Sequence, residues 1–322
     1  MDAEIKNAIR VANKEAQYDE KAKRLLGHKY ILAYILVNTV DEFKGMHPKD
    51  VVSYIEGEPL IGVVPVENGM TNTEKEKQGQ RVVGFNSENS EINEGLVRFD
   101  IVFYVRMKDG ISQIIVNVEA QKDTPAEYKI LNRAIFYVSR LISSQKERDF
   151  ANTNYDDIKR VFSIWSCMNR DQNSMHHVHL TNDELLGSCE WEGKLGLFNI
   201  ILIGLSKELP KYDKRYELHR LLGALLSKEI SADDKINIIE KEYDIPVEGS
   251  IREDMNVMCN LSQGIKEEGI AIGEARGEAR GEANFILNMH KKGYTLEQIA
   301  DVAEKSVEEI KAIIEERESV LV

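Results

Sequence analysis

The sequence is poor in cysteine and has no long apolar run, and each absence excludes a class of protein. Its three cysteines, Cys167, Cys189 and Cys259, are odd in number and far apart. This argues against a disulfide framework or a zinc cluster and favours a reducing compartment. No run of about 18 apolar residues occurs, so no transmembrane helix is expected. The start of the chain lacks the layout of a signal peptide. We therefore expect a cytoplasmic protein with no membrane partner.

Basic charge is also in deficit, because 42 lysines and arginines stand against 55 aspartates and glutamates, a formal net charge of −13. Affinity for a nucleic acid backbone comes largely from neutralising phosphates. Any basic surface must therefore be local. The charge predicts weak non-specific binding to DNA and a strong need for divalent cations wherever acidic residues converge.

Hydrophobic periodicity predicts helices that alternate with strands, which is typical of an α/β core. A polar, glycine-containing stretch at 67–95 is expected to be an exposed excursion. The predicted elements are helices at 13–44, 48–55, 125–146, 212–228 and 233–243, a hairpin at 98–121, and strands at 157–168 and 195–205. The composition divides the chain into a core domain at 1–210, a helical extension at 211–263 and a helical tail at 264–322.

The tail begins with the repeat GEARGEARGEA, which places Gly273, Gly277 and Gly281 in one stripe if the segment is helical. Each glycine weakens a helix by roughly 1 kcal/mol relative to alanine. A marginally helical, low-complexity linker is the preferred interpretation. The alternative is a helix-pairing segment that makes the chain a homo-oligomer through its C-terminal helices.

The last two predicted helices resemble a helix-turn-helix, and each starts with the spacing of a capping box, Thr295 with Gln298 and Ser306 with Glu309. Residues 264–322 hold 8 basic and 13 acidic residues, which leaves −5 there and −8 for the rest. Because acidic charge opposes the approach of phosphate, a packing or protein-contact role is favoured over base recognition.

The hairpin RFDIVFYVRMKDGISQIIVNVEAQ, with Lys108-Asp109-Gly110 as its turn, carries one carboxylate on each apolar strand. Side chains alternate between the faces of a strand, so Glu119 and Gln121 share one face. If strand pairing places Asp100 on that face, two carboxylates converge beside an amide. Like charges at that distance repel unless a proton or cation neutralises them. Oxygen ligands with open positions suit Mg²⁺ or Mn²⁺. The alternative is that both carboxylates simply face solvent.

Four segments together resemble the PD-(D/E)XK nuclease family transposases, the Rpn-like recombination-promoting nucleases. They are FDIVFYV…IIVNVEAQKD, YKILNRAIFYVSRLISSQ, YDDIKRVFSIWSCMN and GYTLEQIADVAEKSVEEIK. The similarity covers most of residues 15–318 and is densest from Phe99 to Met168. It implies a restriction-endonuclease-like fold, a mixed sheet flanked by helices, and metal-dependent cleavage of DNA phosphodiesters.

By motif matching, the resemblance implies that Asp100 and Glu119 are the acidic metal ligands and that Gln121 occupies the position of the motif lysine. Glutamine can hydrogen-bond a water or a phosphate oxygen, but it supplies no positive charge. The family also implies a further acidic ligand from an upstream helix. Asp19, Glu20 and Glu56 are candidates for it, and Glu56 is slightly preferred.

Arg133, Tyr137 and Arg140 recur at i, i+4 and i+7 of the predicted helix after the hairpin, so they share one helical face. Arginine pairs with phosphate in a two-pronged geometry, and this arrangement resembles the arginine and tyrosine pattern of the family. Binding of the substrate phosphate is one interpretation. The other is that the arginines bridge structural carboxylates, Glu119 among them.

Two functions of different classes follow. The first is a divalent-metal-dependent DNA endonuclease that supports transposition or recombination. The alternative is a catalytically silent protein that uses the same fold as an interaction or regulatory module, which the acidic charge and the absent lysine favour. Cleavage of RNA in place of DNA also stays open, since no base-stacking aromatic cluster separates the two.

Overall fold

A computed structural model describes the backbone of residues 2–65, 98–106, 113–121, 128–146, 149–150, 152–247 and 249–319. Within several of these stretches only the backbone is described, and the side chains at 98–100 and 113–121 belong to them. The predicted excursion at 67–95, the hairpin turn at 108–110 and Pro125 lie outside the described residues. The chain divides into two compact units, 17–260 and 1–16 with 261–322.

The described helices and strands alternate along the chain, as expected for a mixed α/β protein. The helices are α1 (Asp2–Leu26), α2 (Lys29–Thr39), α3 (Pro48–Val51), α4 (Ile130–Ser143), α5 (Glu217–Leu226), α6 (Ala232–Tyr243), α7 (Ser250–Lys291), α8 (Leu296–Ala303) and α9 (Val307–Ser319). The strands are β1 (Ile55–Pro65), β2 (Arg98–Arg106), β3 (Gln113–Gln121), β4 (Arg160–Arg170), β5 (Ser174–His179) and β6 (Phe198–Ser206). None of the helices described is long and apolar enough to cross a membrane.

The six strands form one sheet in the order β1-β2-β3-β4-β6-β5. The pairs β1–β2, β2–β3 and β6–β5 are antiparallel, whereas β3–β4 and β4–β6 are parallel. The three parallel strands therefore end at the same edge of the sheet, which we call the carboxyl edge. Strand β2 begins at this edge, because it runs antiparallel to β3.

Helix α4 connects β3 to the parallel strand β4 and packs on one face of the sheet, where apolar side chains bury its inner stripe. These side chains form one core cluster, comprising Val102, Tyr104, Ala134, Tyr137, Val138, Leu141, Val161, Trp165, Cys167 and Ile200. Burial of each large apolar side chain contributes about 1.5–3 kcal/mol. The helix is therefore held in place by the same strands that carry the predicted acidic residues.

The direction of α4 follows from a polar contact at its C-terminal end. The buried Gln145 donates to the carbonyl of Lys159 at 3.0 Å and accepts from its N–H at 2.7 Å. Lys159 immediately precedes β4, so the C-terminal end of α4 lies where that strand begins. The N-terminal end of α4 consequently points towards the carboxyl edge.

One helix was predicted over 13–44, but the structure has a break at Gly27-His28 between α1 and α2. The extended backbone of His28, the N-cap of α2, interrupts the helix there. A Cβ at Gly27 would lie 2.6 Å from Cδ1 of the exposed Ile61 on β1, so a larger residue would displace that side chain. The second predicted helix, 48–55, is α3 followed by a 3₁₀ turn at Val52–Tyr54.

The predicted helix at 125–146 corresponds to α4, which begins at Ile130. The predicted helix at 212–228 begins later, at Glu217, after a 3₁₀ turn at Lys214–Tyr216. There the Asp213 carboxylate accepts from the N–H of Arg215.

The unit formed by 1–16 and 261–322 contains most of α7 together with α8 and α9. Its small core consists of Ile286, Ile299, Ala300, Ile310 and Ile314. Both predicted capping boxes are present, since each N-cap hydroxyl accepts from the third helical N–H and each third side chain accepts in return. The repeat expected as a linker is helical throughout, inside α7.

Candidate active site at the carboxyl edge

The register of the hairpin determines which residues of β2 and β3 oppose each other. Ile101 pairs with Val118 and Val102 pairs with Asn117. Continuing this antiparallel register by one residue sets position 100 opposite position 119. Residues opposite each other in an antiparallel pair lie on the same face, with Cβ atoms roughly 5 Å apart. The side chains of Asp100 and Glu119 lie outside the described part, so this is a statement about their backbone positions.

The face that carries these positions is the one covered by α4. Position 100 alternates with Val102 and Tyr104, which belong to the core cluster beneath α4. In the parallel register Glu119 is the neighbour of Trp165, and Gln121 is the neighbour of Cys167. Positions 100, 119 and 121 therefore belong to one face at the carboxyl edge.

Arg133 lies closest to these positions among the three residues of α4 that the sequence suggested for phosphate binding. Its guanidinium carbon lies 5.4 Å from the ring centre of Trp165, the register neighbour of Glu119. It donates from Nε to the Tyr137 hydroxyl at 2.9 Å and from Nη1 to the Tyr128 hydroxyl at 2.8 Å. Aromatic rings thus hold a partly exposed cation beside the candidate site.

Tyr137 and Arg140 are less accessible than Arg133. Tyr137 is 6% exposed and packs against Trp165 with ring centres 5.6 Å apart, and Arg140 is 8% exposed. Arg140 also lies seven residues along the helix from Arg133, about 10 Å towards the opposite edge of the sheet. The geometry therefore favours a positioning role for Tyr137 and a structural role for Arg140, and it leaves Arg133 as the candidate phosphate contact.

Glu56 lies at a different place on the sheet. It pairs with Tyr104 of β2, four residues and roughly 13 Å along the strand from position 100. Its Oε1 accepts from Nε and Nη2 of Arg106 at 3.0 and 2.9 Å. The register therefore does not bring Glu56 to positions 100 and 119.

The two other upstream candidates lie on α1. Asp19 forms an ion pair with Lys23 at 2.9 Å, and Glu20 is exposed. The contact described for Asp19 lies within α1 itself. The two opposed positions on β2 and β3 are therefore the acidic pair from which a metal site can be argued.

The residue types at these positions fit Mg²⁺ or Mn²⁺. Two carboxylates and one carboxamide can supply oxygen ligands, which these ions prefer. Within the stretches whose side chains are described, no group of three or more histidine, cysteine, aspartate or glutamate side chains could hold a metal ion. Asp100 and Glu119 are not among those side chains.

Two further features set the electrostatics of this edge. Burial raises the pKa of the Cys167 thiol, against the opposing influence of Arg170, so the neighbour of Gln121 stays neutral near pH 7. The N-terminal end of α4 has no side-chain cap and no acidic residue in its first turn. Within α4 itself no acidic side chain offsets the partial positive charge of this end, which favours an anion at the carboxyl edge.

Sequence reasoning did not identify Trp165 as part of this site. It is fully buried and connects Arg133 and Tyr137 with the strand position beside Glu119. A tryptophan in an apolar strand carries no local sign of this role, because the parallel pairing of β3 with β4 creates it.

Comparison with known proteins adds no relative from which a function could be transferred. No family model, no curated protein and no solved structure matches the chain.

Proposed function

We propose that this protein is a divalent-metal-dependent DNA endonuclease of the restriction-endonuclease-like fold, related to the PD-(D/E)XK nuclease family transposases. The single observation that carries the proposal is the backbone register, which sets positions 100 and 119 opposite each other on the face beneath α4. The order of elements supports it, since an antiparallel hairpin is followed by a helix and a parallel strand.

The proposed reaction is hydrolysis of a phosphodiester. Water forms a new bond to phosphorus, one ester P–O bond breaks in line with it, and the leaving oxygen takes a proton. When bound at Asp100 and Glu119, Mg²⁺ or Mn²⁺ would polarise the phosphate and acidify a water molecule.

The chain's own residues have separate tasks in this reaction. The Gln121 carboxamide can orient a water or a phosphate oxygen, but it adds no charge. Positive charge beside the phosphate must come from elsewhere in the protein. Arg133 supplies it, and Tyr128 and Tyr137 fix the direction of the guanidinium through their hydroxyl groups. These two hydroxyls are neutral, so they orient the guanidinium without adding negative charge beside it.

The proposal is tested by nicking of a supercoiled plasmid with Mg²⁺, with Mn²⁺ and with EDTA. We expect metal-dependent nicking by the wild type and a loss of at least about 100-fold in Asp100→Asn and Glu119→Gln, since a metal ion contributes several kcal/mol to such a reaction. The matched control is Glu58→Gln, which also turns a strand carboxylate into an amide. Glu58 is 87% exposed and pairs with Lys29, so its nicking rate is expected to stay within about twofold.

Two outcomes would contradict the proposal. Nicking that persists in Asp100→Asn would remove the site assignment. If the wild type is inactive with both metals and calorimetry detects no metal site that depends on Glu119, the catalytically silent interaction module is the better account. The net charge of −13 is the observation that favours that second function.

We also propose that α7 pairs in parallel with α7 of a second copy. At Gly273, Gly277 and Gly281, a Cβ would meet no atom of the described residues within 4 Å. Angles about the helix axis, measured from the middle of this stripe, place the flanking charges. The exposed Glu274 and Glu278 lie on one flank, at about +80°, and the exposed Arg276 and Arg280 lie on the other, at about −80°. Each flank of a single helix thus repeats one sign at i and i+4, which is destabilising.

The segregation of charge decides the orientation of the pair. In a parallel pair, the acidic flank of one helix meets the basic flank of the other. In an antiparallel pair, the acidic flank meets the acidic flank of the other helix and the basic flank meets the basic flank. The glycine stripe permits close approach, and only the parallel arrangement also makes the charges complementary.

A further inference from the structure

The end of β4 and the turn that follows it enclose a cavity at the carboxyl edge. The cavity has a volume of about 550 Å³, and its lining is polar. The lining residues with amide or charged side chains include Asn169, Arg170, Asp171, Gln172, Asn173 and Lys207. The same edge carries positions 119 and 121 of β3, which lies one strand away from β4 and two strands away from β6.

The cavity is preformed by a strand irregularity. Cys167 pairs with Gly204, but the next pairing is Arg170 with Ser206, so β4 has one extra residue between them. Asn169 lies in this bulge and has a φ of 56°, a left-handed conformation that asparagine tolerates better than most residues. Such bulges redirect the side chains that follow them.

Three contacts hold the turn in place. The Asn173 carboxamide oxygen accepts from the N–H of Ser206 at 3.0 Å, and Nε2 of the buried His219 lies 3.0 Å from the carbonyl of Ser174. A Cβ at Gly204 would lie 2.5 Å from Oγ of Ser174, so β5 approaches β6 closely at this glycine. Because the backbone of the turn is fixed, only the side chains that it presents need ordering on binding.

The chemistry of the lining matches the edges of nucleic acid bases. Carboxamides such as that of Gln172 pair with adenine through a donor and an acceptor, and cations such as Arg170 and Lys207 pair with guanine. Asp171 and Glu208 also line the cavity and balance these two cations. Since the formal charges cancel, attraction to the phosphate backbone is weak here, and the pattern of donors and acceptors must determine what binds.

We propose that this cavity is a base-reading subsite for duplex DNA beside the bond that is cut, an inference that rests on the proposed function. Strands lie about 4.8 Å apart and rise about 3.3 Å per residue. The cavity therefore lies roughly 10 Å from position 121, which equals about three base-pair steps of 3.4 Å. The subsite contacts bases within about three pairs of the cut, on one side only.

The test uses the double variant Gln172→Ala/Lys207→Ala of the full chain on duplexes with randomised flanks. We expect the wild type to prefer certain bases within about three pairs of the cut, and the double variant to lose that preference by roughly tenfold. Hydrolysis of bis(p-nitrophenyl) phosphate, which is too small to reach the cavity, is expected to change less than about twofold. The matched control is Gln17→Ala/Lys44→Ala, which removes an exposed glutamine and an exposed lysine elsewhere in the same unit.

Binding without cleavage separates this inference from the proposed function. With Ca²⁺ in place of Mg²⁺, fluorescence anisotropy is expected to show duplex binding about tenfold weaker in the double variant and unchanged in the control. If the wild type cleaves but the double variant keeps the same base preference and affinity, the subsite is wrong and the nuclease stands. If nothing cleaves but binding still depends on Gln172 and Lys207, the nuclease is wrong and the subsite stands. An equal loss of base preference and affinity in the control variant would overturn the subsite. Binding of an RNA duplex more tightly than the DNA duplex would overturn it as well.

Discussion

Arg133 illustrates how neighbours decide what a side chain can do. The hydrogen bonds described for its guanidinium include those to the hydroxyls of Tyr128 and Tyr137, which hold it in one orientation. The ring of Trp165 adds attraction without adding charge. An arginine fixed in this way is oriented in advance, so less entropy is lost when it binds an anion.

Tyr34 supports a prediction about pH. Its hydroxyl donates to the carbonyl of Tyr243 at 2.6 Å, and burial raises its pKa to about 12 from the ordinary value near 10. Between pH 10 and 12 the folded protein keeps this proton while the unfolded chain releases it, so the free energy of unfolding falls as pH rises. Tyr34→Phe should make that fall shallower and should lower stability at pH 7 by about 1–2 kcal/mol.

Urea unfolding at pH 7, 9, 10 and 11 measures both effects. The exposed Tyr155 provides the control, since Tyr155→Phe should change neither the stability at pH 7 nor the slope. An identical slope in the wild type and Tyr34→Phe would show that another group titrates in this range. Burial also raises the pKa of Tyr243, so part of the slope is expected to remain in the variant.

At the scale of elements, α4 and α7 are held by different means. Helix α4 buries one stripe against the sheet and is fastened at its end by Gln145. Helix α7 is buried near its start at Met255 and Met258 and again at Ile286, whereas its glycine-containing middle is exposed. Helix formation is cooperative, so packing at both ends stabilises a middle that would be a poor helix alone.

The parallel pairing of α7 predicts the effect of one substitution. Gly277→Leu should abolish or strongly weaken self-association in sedimentation equilibrium, because the side chain prevents close approach of the two helices. Leucine is a better helix former than glycine, so a loss of helix would not explain the result. The control is Ala275→Leu, because Ala275 is exposed on the opposite side of α7.

Orientation is read from disulfide formation. With Cys189 changed to Ser, Gly281→Cys should form a disulfide between the two copies under mild oxidation, since a parallel pair places position 281 beside its equivalent. An antiparallel pair centred on Gly277 would instead place it near position 273 of the other copy. A wild type that sediments as a monomer at tens of micromolar would remove the proposal.

For the whole molecule, the net charge of −13 predicts an unusual salt dependence. Each phosphate neutralised contributes about −0.9 to the slope of log affinity against log salt. If Arg133 and a few neighbours are the only phosphate contacts, duplex affinity in Ca²⁺ should fall less than about 100-fold between 50 and 200 mM salt. Anisotropy titrations measure the slope directly. A slope of −6 or steeper would reveal a broad basic surface that the described residues do not suggest.

Much of the local structure could be predicted from the residues alone. Both strands of the hairpin, the helix that follows it and the capping boxes at Thr295 and Ser306 were expected from short-range patterns, and the structure has them. The single helix expected over 13–44 is wrong, because the chain breaks at Gly27-His28 between α1 and α2. Contacts between distant segments were not predicted either, and the register of β1 sets Glu56 beside Tyr104.

The sequence by itself therefore determined strands β2, β3, β4 and β6, helix α4 and which residues share a face within each, because alternation and helical periodicity are local. Only the tertiary structure decided that β3 lies beside β4, that Trp165 is the neighbour of Glu119, and that the turn after β4 opens a cavity at the same edge. Strand order and register depend on hydrogen bonds between segments far apart in the chain, and no short-range pattern encodes those bonds.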